Sequence, residues 1–389
     1  MNIQPLSDYE LLPIYVRVAD NLRTQLDAGD LAAGDFLPGE HELARAYGLS
    51  RGTIRKALDI LVAEGRISRQ PGRGTIVLPR RARHRVRRQV AVVWSIIRAI
   101  GTEMLAGLES AIAEVGYDLL FSTTEHNPAK EAEILERLAR SDVAGVVLYF
   151  TGAPQNNALV QQITANGIPL VLIDRFVPAL ADSVSWVSSD NEQGAFDVTR
   201  HLAQLGHRRI ALVLWTPDDA GVSTLTERRL GYLRALEQSG LDPNPALVLS
   251  VSGAQWQELG SAGFAERFFA FLSAQQPTAV FFNSDAAALH TYPFFQQRGI
   301  RVPDDLSIAG FDRLRLPYEV NSLNLTSVAQ DFTRLGAEAG RAIAHLIQDP
   351  DRPPLHIRVP VTLHIGSTTA PPANVAFDHE EKEAPIANK

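Results

Sequence analysis

Hydrophobic positions along this chain follow one rule up to about residue 78 and another from residue 90. In the first part apolar residues recur at helical spacing. Ile14, Val18, Leu22 and Leu26 fall every four residues and mark a helix that Pro13 opens and Gly29 ends. A shorter helix is expected over Glu40–Tyr47, closed by Gly48 in the left-handed conformation. Ser50 then caps a third helix, Arg51 to about Glu64. Ile54, Leu58, Leu61 and Val62 of that helix face the core, so Arg51, Arg55 and Lys56 face elsewhere. Two short runs flanking Pro71-Gly72-Arg73-Gly74 read as a hairpin with a basic tip. Helix, tight glycine turn, helix with a basic first turn, then hairpin: this is a winged helix-turn-helix.

From Val90 the pattern becomes short, nearly continuous apolar runs: "VAVVWSII", "DLLFST", "AGVVLYF" and "PLVLID", and later "RIALVLW", "ALVLSV", "TAVFFNS" and "LSIAGFD". Such runs are strands buried on both faces. Amphipathic helices such as Thr102–Val115 and Pro128–Arg140 lie between them. Two blocks of this alternation imply two subdomains with parallel sheets, and a ligand cleft at the strands' carboxyl ends. The expected fold class is therefore α/β, with a small α+β head. The expected division is a head over 1–78, a linker over 79–89, an α/β body over 90–370 and a disordered tail over 371–389.

Charge sharpens this division. The 389 residues carry net charge −7, yet residues 1–88 hold 15 Lys/Arg against 10 Asp/Glu. Within 45–88 there are 13 basic and two acidic residues, and "RRARHRVRR" (80–88) has six arginines in nine. A basic head on an acidic body suits a polyanion, although a merely solvated basic face has the same composition. The arginine run reads as a linker, extended or folding on DNA, or as a self-repelling tether. There is no cysteine, so disulfides and thiolate chemistry are excluded. No 18-residue apolar run and no amino-terminal signal pattern is present, so a cytoplasmic protein with no membrane partner is expected. No His/Glu cluster has metal spacing, and G-x-S-x-G, P-loop and G-x-G-x-x-G motifs are absent, so neither metal nor cofactor is expected. The body reads as a binder and not a catalyst.

Polar residues repeatedly end the apolar strands: Asp174-Arg175 after "LVLI", Asp190-Asn191 in "SSDN", Ser284-Asp285 after "FFN", and Asp312 in "AGFD". A strand-end aspartate either faces a ligand or caps the next helix. Asp190 and Asn191 are assigned to a crossover hinge and a helix start.

Two resemblances follow from these residues. "GDFLP", "ELA", "SRGTIRKAL", "LVAEG" and "GRGT" make residues 13–77 resemble the winged helix-turn-helix of the GntR family. The resemblance implies contacts to double-stranded operator DNA from Glu40, Ser50, Arg51, Thr53, Arg55, Pro71, Gly72 and Arg73. Glu40 has a second reading as a partner of the helix dipole. Gly39 and Gly52 depart from the usual serine and threonine. "SSDNEQGAFDVTRHLAQLGHRRIALV", "ERRLGYLRAL", "TAVFFNSDAAAL", "GIRVPDDLSIAGFD" and "LTSVAQDF" resemble the effector core of the LacI/GalR repressors, which is similar to type I periplasmic sugar-binding proteins. The combination resembles the arabinose-repressor group of chimeric regulators.

That resemblance implies a homodimeric repressor whose operator binding answers to a small sugar. Asp174, Arg228, Ser284, Asp312 and Gln330 would supply polar contacts and Phe332 a wall. Trp94, Tyr149 and Trp256 would stack on the sugar's apolar face, unless the tryptophans are core aromatics. Ser284 and Tyr149 depart from the family pattern. A transport-type sugar-binding protein and a sugar-modifying enzyme are the alternatives.

Overall fold

In a computed structural model the chain forms two compact units, residues 1–86 and 87–389. The structure describes residues 13–27, 34–63, 66–70, 73–78, 89–95, 99–215, 221–251, 253–314 and 323–373. The arginine run 80–88, Pro71, Gly72 and the tail beyond 373 lie outside the described residues.

The first unit contains α1 (Ile14–Asp27), β1 (Phe36–Leu37), α2 (Glu40–Tyr47), α3 (Arg51–Ala63), β2 (Ile67–Gln70) and β3 (Gly74–Val77). Val18 and Leu22 of α1, Leu43 of α2, and Ile54, Leu58 and Leu61 of α3 form one core. Gly48 ends α2 at φ 65°, a left-handed turn that glycine adopts without strain. The hairpin pairs Gln70 with Gly74, and β1 adds to β3 as an antiparallel third strand. β1 is too short to show periodicity, and the sequence reading missed it. The head is a winged helix-turn-helix.

The second unit has two lobes. The first begins with β4 (Gln89–Trp94), α4 (Ala99–Ala113), β5 (Asp118–Thr123), α5 (Pro128–Leu138), β6 (Gly145–Leu148), α6 (Asn157–Ala165), β7 (Leu170–Ile173) and β8 (Ser185–Ser189). The chain then crosses to the second lobe: α7 (Asn191–Gln204), β9 (Ile210–Trp215), α8 (Ser223–Gln238), β10 (Val248–Val251), α9 (Gly253–Gln275), β11 (Ala279–Phe282), α10 (Asp285–Gln297), β12 (Ser307–Asp312) and β13 (Thr326–Ala329). It returns with α11 (Phe332–Gln348) and β14 (His356–Val359), which join the first lobe, and ends with β15 (Thr362–His364) in the second. Three crossovers therefore connect the lobes, at 189–191, 329–332 and 360–361.

The sheet orders are β14-β8-β7-β6-β4-β5 and β10-β9-β11-β12-β13-β15. Counted within each lobe, both follow strand order 2-1-3-4-5 with a sixth strand beside the fifth. All pairs are parallel except β13 with β15. This is the two-subdomain, periplasmic-binding-protein-like α/β fold. β5 is an edge strand and half exposed, unlike the doubly buried strand its apolar run suggests. Among the described residues no helix is long and apolar enough to cross a membrane. Also among them, no group of three or more His, Asp or Glu is placed to hold a metal ion.

Candidate functional site

In the head, Ser50 Oγ accepts the Thr53 N–H at 3.1 Å and lies 2.8 Å from Thr53 Oγ1. These two predicted DNA contacts thus also start α3. Burial of Ile54, Ala57, Leu58 and Leu61 turns the other face outward, and Arg51, Gly52, Arg55 and Lys56 are exposed on it. Arg55 grips Glu40 with both ends of its fork, Nη2 to Oε2 at 2.9 Å and Nε to Oε1 at 3.3 Å. That hydrogen bond is the main reason the Glu40 carboxyl sits below its usual range. Arg69 of β2 continues the chain of charge: it lies 3.9 Å from Glu40 and 2.6 Å from Asp59. Sequence reasoning missed Arg69 and Asp59, because only the folded hairpin brings β2 against α3. Arg73 is exposed at the hairpin turn. Exposed arginines on one helix and one wing tip, with Glu40 aiming Arg55, can meet phosphates and base edges.

In the body, β7 and β12 are each the fourth strand of their lobe, and each ends in a carboxylate, Asp174 and Asp312. Arg228, one turn into α8, is held by the second lobe and feels the charges of Asp174 and Arg175 in the first. Its Nε donates to Asn191 Oδ1 at 2.9 Å, Nη1 donates to the Asn283 carbonyl, and Nη2 stands 3.5 Å from Asp312 Oδ1. Its guanidinium carbon is 3.7 Å from the centroid of the Phe311 ring. Arg228, Asp174 and Asp312 are 6%, 7% and 8% exposed, so their charges act in a nearly dry setting. Burial pushes the Asp312 carboxyl up to about 6, against the pull of Arg228 and of the Gln330 hydrogen bond. The same burial lowers the Arg228 pKa, with Asp312 and Asp174 opposing it.

Gln330, in the second crossover, donates to Asp312 Oδ1 at 2.7 Å. Its own Oε1 is buried with no hydrogen-bond partner among the described residues. An orphaned acceptor of this kind costs about 1–3 kcal/mol, which a ligand hydroxyl would recover. Arg228, Asp312 and Gln330 are therefore brought together, and the Asp174 charge acts on both Arg228 and Asp312.

Of the other expected site residues, Trp94, Tyr149 and Phe332 are packed against the protein itself. Trp94 is 1% exposed and packed in the first lobe's core, so it has no free face to stack on a ligand. Tyr149 stands 5.3 Å from Trp94 on one side, and the Arg175 guanidinium covers its ring at 4.5 Å. Arg175 also donates to the Tyr149 hydroxyl and pairs with Asp174 at 3.2 Å. Phe332 is buried in the same core as Trp94, beside Leu335, and is not a cleft wall. Ser284 Oγ caps α10 by accepting the Ala287 N–H at 3.3 Å. Trp256 lies in α9, but its side chain is outside the description. Asp190 caps α7, and Asn191 begins it, as their assignment to a hinge and helix start requires.

Arg175, Asn191, Asn283 and Asp285 complete the site and were not assigned to it from sequence. Arg175, Asn191 and Asp285 were themselves singled out as polar residues at strand ends, which was the available signal, whereas Asn283 was not. Asp285 accepts Ser327 Oγ–H at 2.7 Å and Leu314 N–H at 2.9 Å, and burial raises it to about 7.

Residues 14–77 match the model of the gntR family of bacterial regulatory proteins, and residues 199–369 match that of a periplasmic binding protein-like domain. The arabinose metabolism transcriptional repressor of Geobacillus stearothermophilus is 30% identical over 343 residues, covering 87% of this chain and 92% of that protein. Among solved structures, the complex of the transcriptional regulator CelR with cellobiose has a TM-score of 0.63 at 22% identity, over 85% of this chain and 100% of the other. A LacI family regulator from Enterococcus faecium with bound ribose has a TM-score of 0.58 at 21% identity, over 73% of this chain and 99% of the other.

Proposed function

Since this chain belongs to the arabinose-repressor family, DNA-binding transcriptional repressors of GntR/LacI type, we propose that a small uncharged sugar in the cleft of the body controls its hold on operator DNA. Membership of that family sets aside the transport protein and the enzyme. What supports the reading is the contact of Arg228 and Gln330 with Asp312 in the second lobe and the reach of the first-lobe Asp174 charge to Arg228 and Asp312. Carboxylates and a guanidinium fork recognise adjacent hydroxyls through short, directional hydrogen bonds, and a dry cleft strengthens them. Cellobiose and ribose in the two structural neighbours support a sugar of this general kind, and the Geobacillus relative makes arabinose the first to try.

Control needs two arrangements of the lobes. A sugar bridging them favours the closed one. In a homodimer joined through the bodies, closure changes the spacing of the two heads, so each half-site contact feels the sugar. The test is a thermal-shift screen of the full chain against arabinose, ribose, cellobiose and other small sugars. A ligand stabilises the state it binds, so at least one sugar raises Tm in proportion to log concentration. A flat response across the panel contradicts the reading.

A further inference from the structure

The lobes meet a second time, beside the cleft but not in it. Val222, just before α8, is buried in the first lobe's core with Phe176, Val177 and Trp186, and Leu225 packs against the same cluster. Ser223 and Phe176 exchange hydrogen bonds: the Ser223 N–H reaches the Phe176 carbonyl at 2.8 Å, and the Phe176 N–H reaches Ser223 Oγ at 3.0 Å. One turn along α8, Glu227 Oε1 accepts Arg358 Nη2 of β14 at 2.8 Å. Arg358 also lies 5.3 Å from the centroid of Trp186, which is stacked between Phe176 and His356 at 4.3 and 4.9 Å.

Glu227 is 7% exposed, and its Oε2 has no hydrogen-bond partner among the described residues. A carboxylate buried with one partner is held at a desolvation cost, and the partner offsets that cost only while the lobes are shut. Opening rehydrates the Glu227 carboxylate, while Arg358 is already 43% exposed. The pair therefore biases the balance of open and closed forms without touching a cleft ligand. It is also tied to the cleft through the chain. Glu227 precedes Arg228, and Phe176 stands two residues after Asp174.

We infer that Glu227 and Arg358, with Ser223 and Phe176, form an interlobe latch that sets how far the body is closed before a sugar arrives. It thereby scales the sugar's apparent affinity, which falls with the fraction of closed molecules. The inference rests on the effector reading above, but its main test needs no effector.

The chain has no cysteine, so two introduced ones report on the lobes without background. Glu136→Cys in α5 and Glu266→Cys in α9 are both exposed sites, one on each lobe. Spin labels there give the interlobe distance distribution in the full-length protein. Glu227→Gln and Arg358→Met should each populate a distance that the parent lacks, and the double variant should go no further than either alone. Each should also weaken arabinose, ribose or cellobiose binding, whichever the parent shows, by about five- to tenfold. Arg358→Lys, which keeps the charge, serves if Arg358→Met does not fold, and should shift the distribution less than Glu227→Gln. Unmoved distributions in both single variants, or a double-variant shift equal to the two combined, overturn the latch. If the distances respond while no sugar in the panel binds, the effector reading fails and the latch stands.

Discussion

Asp174 and Asp312 are counterparts: each follows the fourth strand of its lobe to the carboxyl end, and each has a positive φ, 72° and 106°. Non-glycine residues there are strained by about 1–3 kcal/mol, and such strain persists where surrounding contacts over-determine it. The Asp174 N–H is held by the Val187 carbonyl at 2.8 Å and its carbonyl by Ser188 Oγ at 2.7 Å. Asp312 is held by Gln330 and Arg228. Each lobe thus holds a strained, nearly buried carboxylate at the carboxyl end of its fourth strand.

Removing Arg228 isolates Asp312 as a buried charge. Arg228→Ala should cost about 3 kcal/mol in urea unfolding of the protein. Arg228→Leu combined with Asp312→Leu should cost less than Arg228→Ala alone, since no buried charge is then left unpaired. Asp312→Asn and Asp174→Asn should fold and lose the sugar-dependent rise in Tm. An Arg228→Ala protein as stable as the parent would mean that the pair is not energetically coupled.

Stability should depend on pH with a defined sign. Burial raises Asp285 to about 7 and Asp312 to about 6. The folded body therefore keeps protons that the unfolded chain gives up. The stability they contribute is complete below about pH 4, the ordinary carboxylate value, and is lost as pH rises towards 7. Asp285→Asn should flatten this slope. Urea unfolding at half-unit steps of pH checks it, and an equal slope in the variant would show that Asp285 is not the titrating group.

Much of this was legible in the sequence, for physical reasons that differ by element. Val90–Trp94 and Ala279–Phe282 stand out because strands buried on both faces need apolar residues throughout. β8 and β13, "SWVSS" and "TSVA", are equally buried but hidden by their hydroxyls. Three of those hydroxyls are satisfied only by the fold, Ser188 by the Asp174 carbonyl, Ser327 by Asp285, and Thr326 by Thr369, while Ser189 Oγ is buried with no partner among the described residues. Asp174 and Asp312 were singled out because they end apolar strands, and Arg228 and Gln330 because they sit inside the motifs that carry the resemblance. The fates of Trp94, Tyr149 and Phe332 were not legible, since an aromatic packs equally well on a core or a ligand until its neighbours are known. Arg175, one residue from an assigned carboxylate, is the neighbour that covers Tyr149.

Gly231 of the "RRLGY" motif should tolerate no side chain. A Cβ there would collide with the Glu192 carbonyl of α7, against which α8 packs. Gly231→Ala should cost about 1–3 kcal/mol by overpacking. It should also abolish the sugar-dependent thermal shift, because α8 carries Arg228 one turn earlier. Unchanged melting and an intact shift would show that α8 can move off α7 freely.

On the head, Arg51→Ala, Arg55→Ala and Arg73→Ala should each weaken binding to an operator selected from random duplexes by roughly 1–3 kcal/mol where they reach base edges. Where they reach phosphate, the slope of log affinity against log salt should fall by about 0.9 per contact. Glu40→Gln loosens Arg55 from its fixed orientation and should narrow the gap between specific and non-specific affinity. Fluorescence anisotropy across a salt series separates these outcomes, and salt-independent binding would remove the head from the interface.

The most direct measurement is reciprocal linkage between the two ligands. Operator affinity is measured by anisotropy with and without saturating sugar, and sugar affinity by calorimetry with and without saturating operator. Sugar should weaken operator binding by roughly 5- to 150-fold, and operator should weaken sugar binding by the same factor. A sugar that binds the body tightly and leaves operator affinity unchanged would contradict the account.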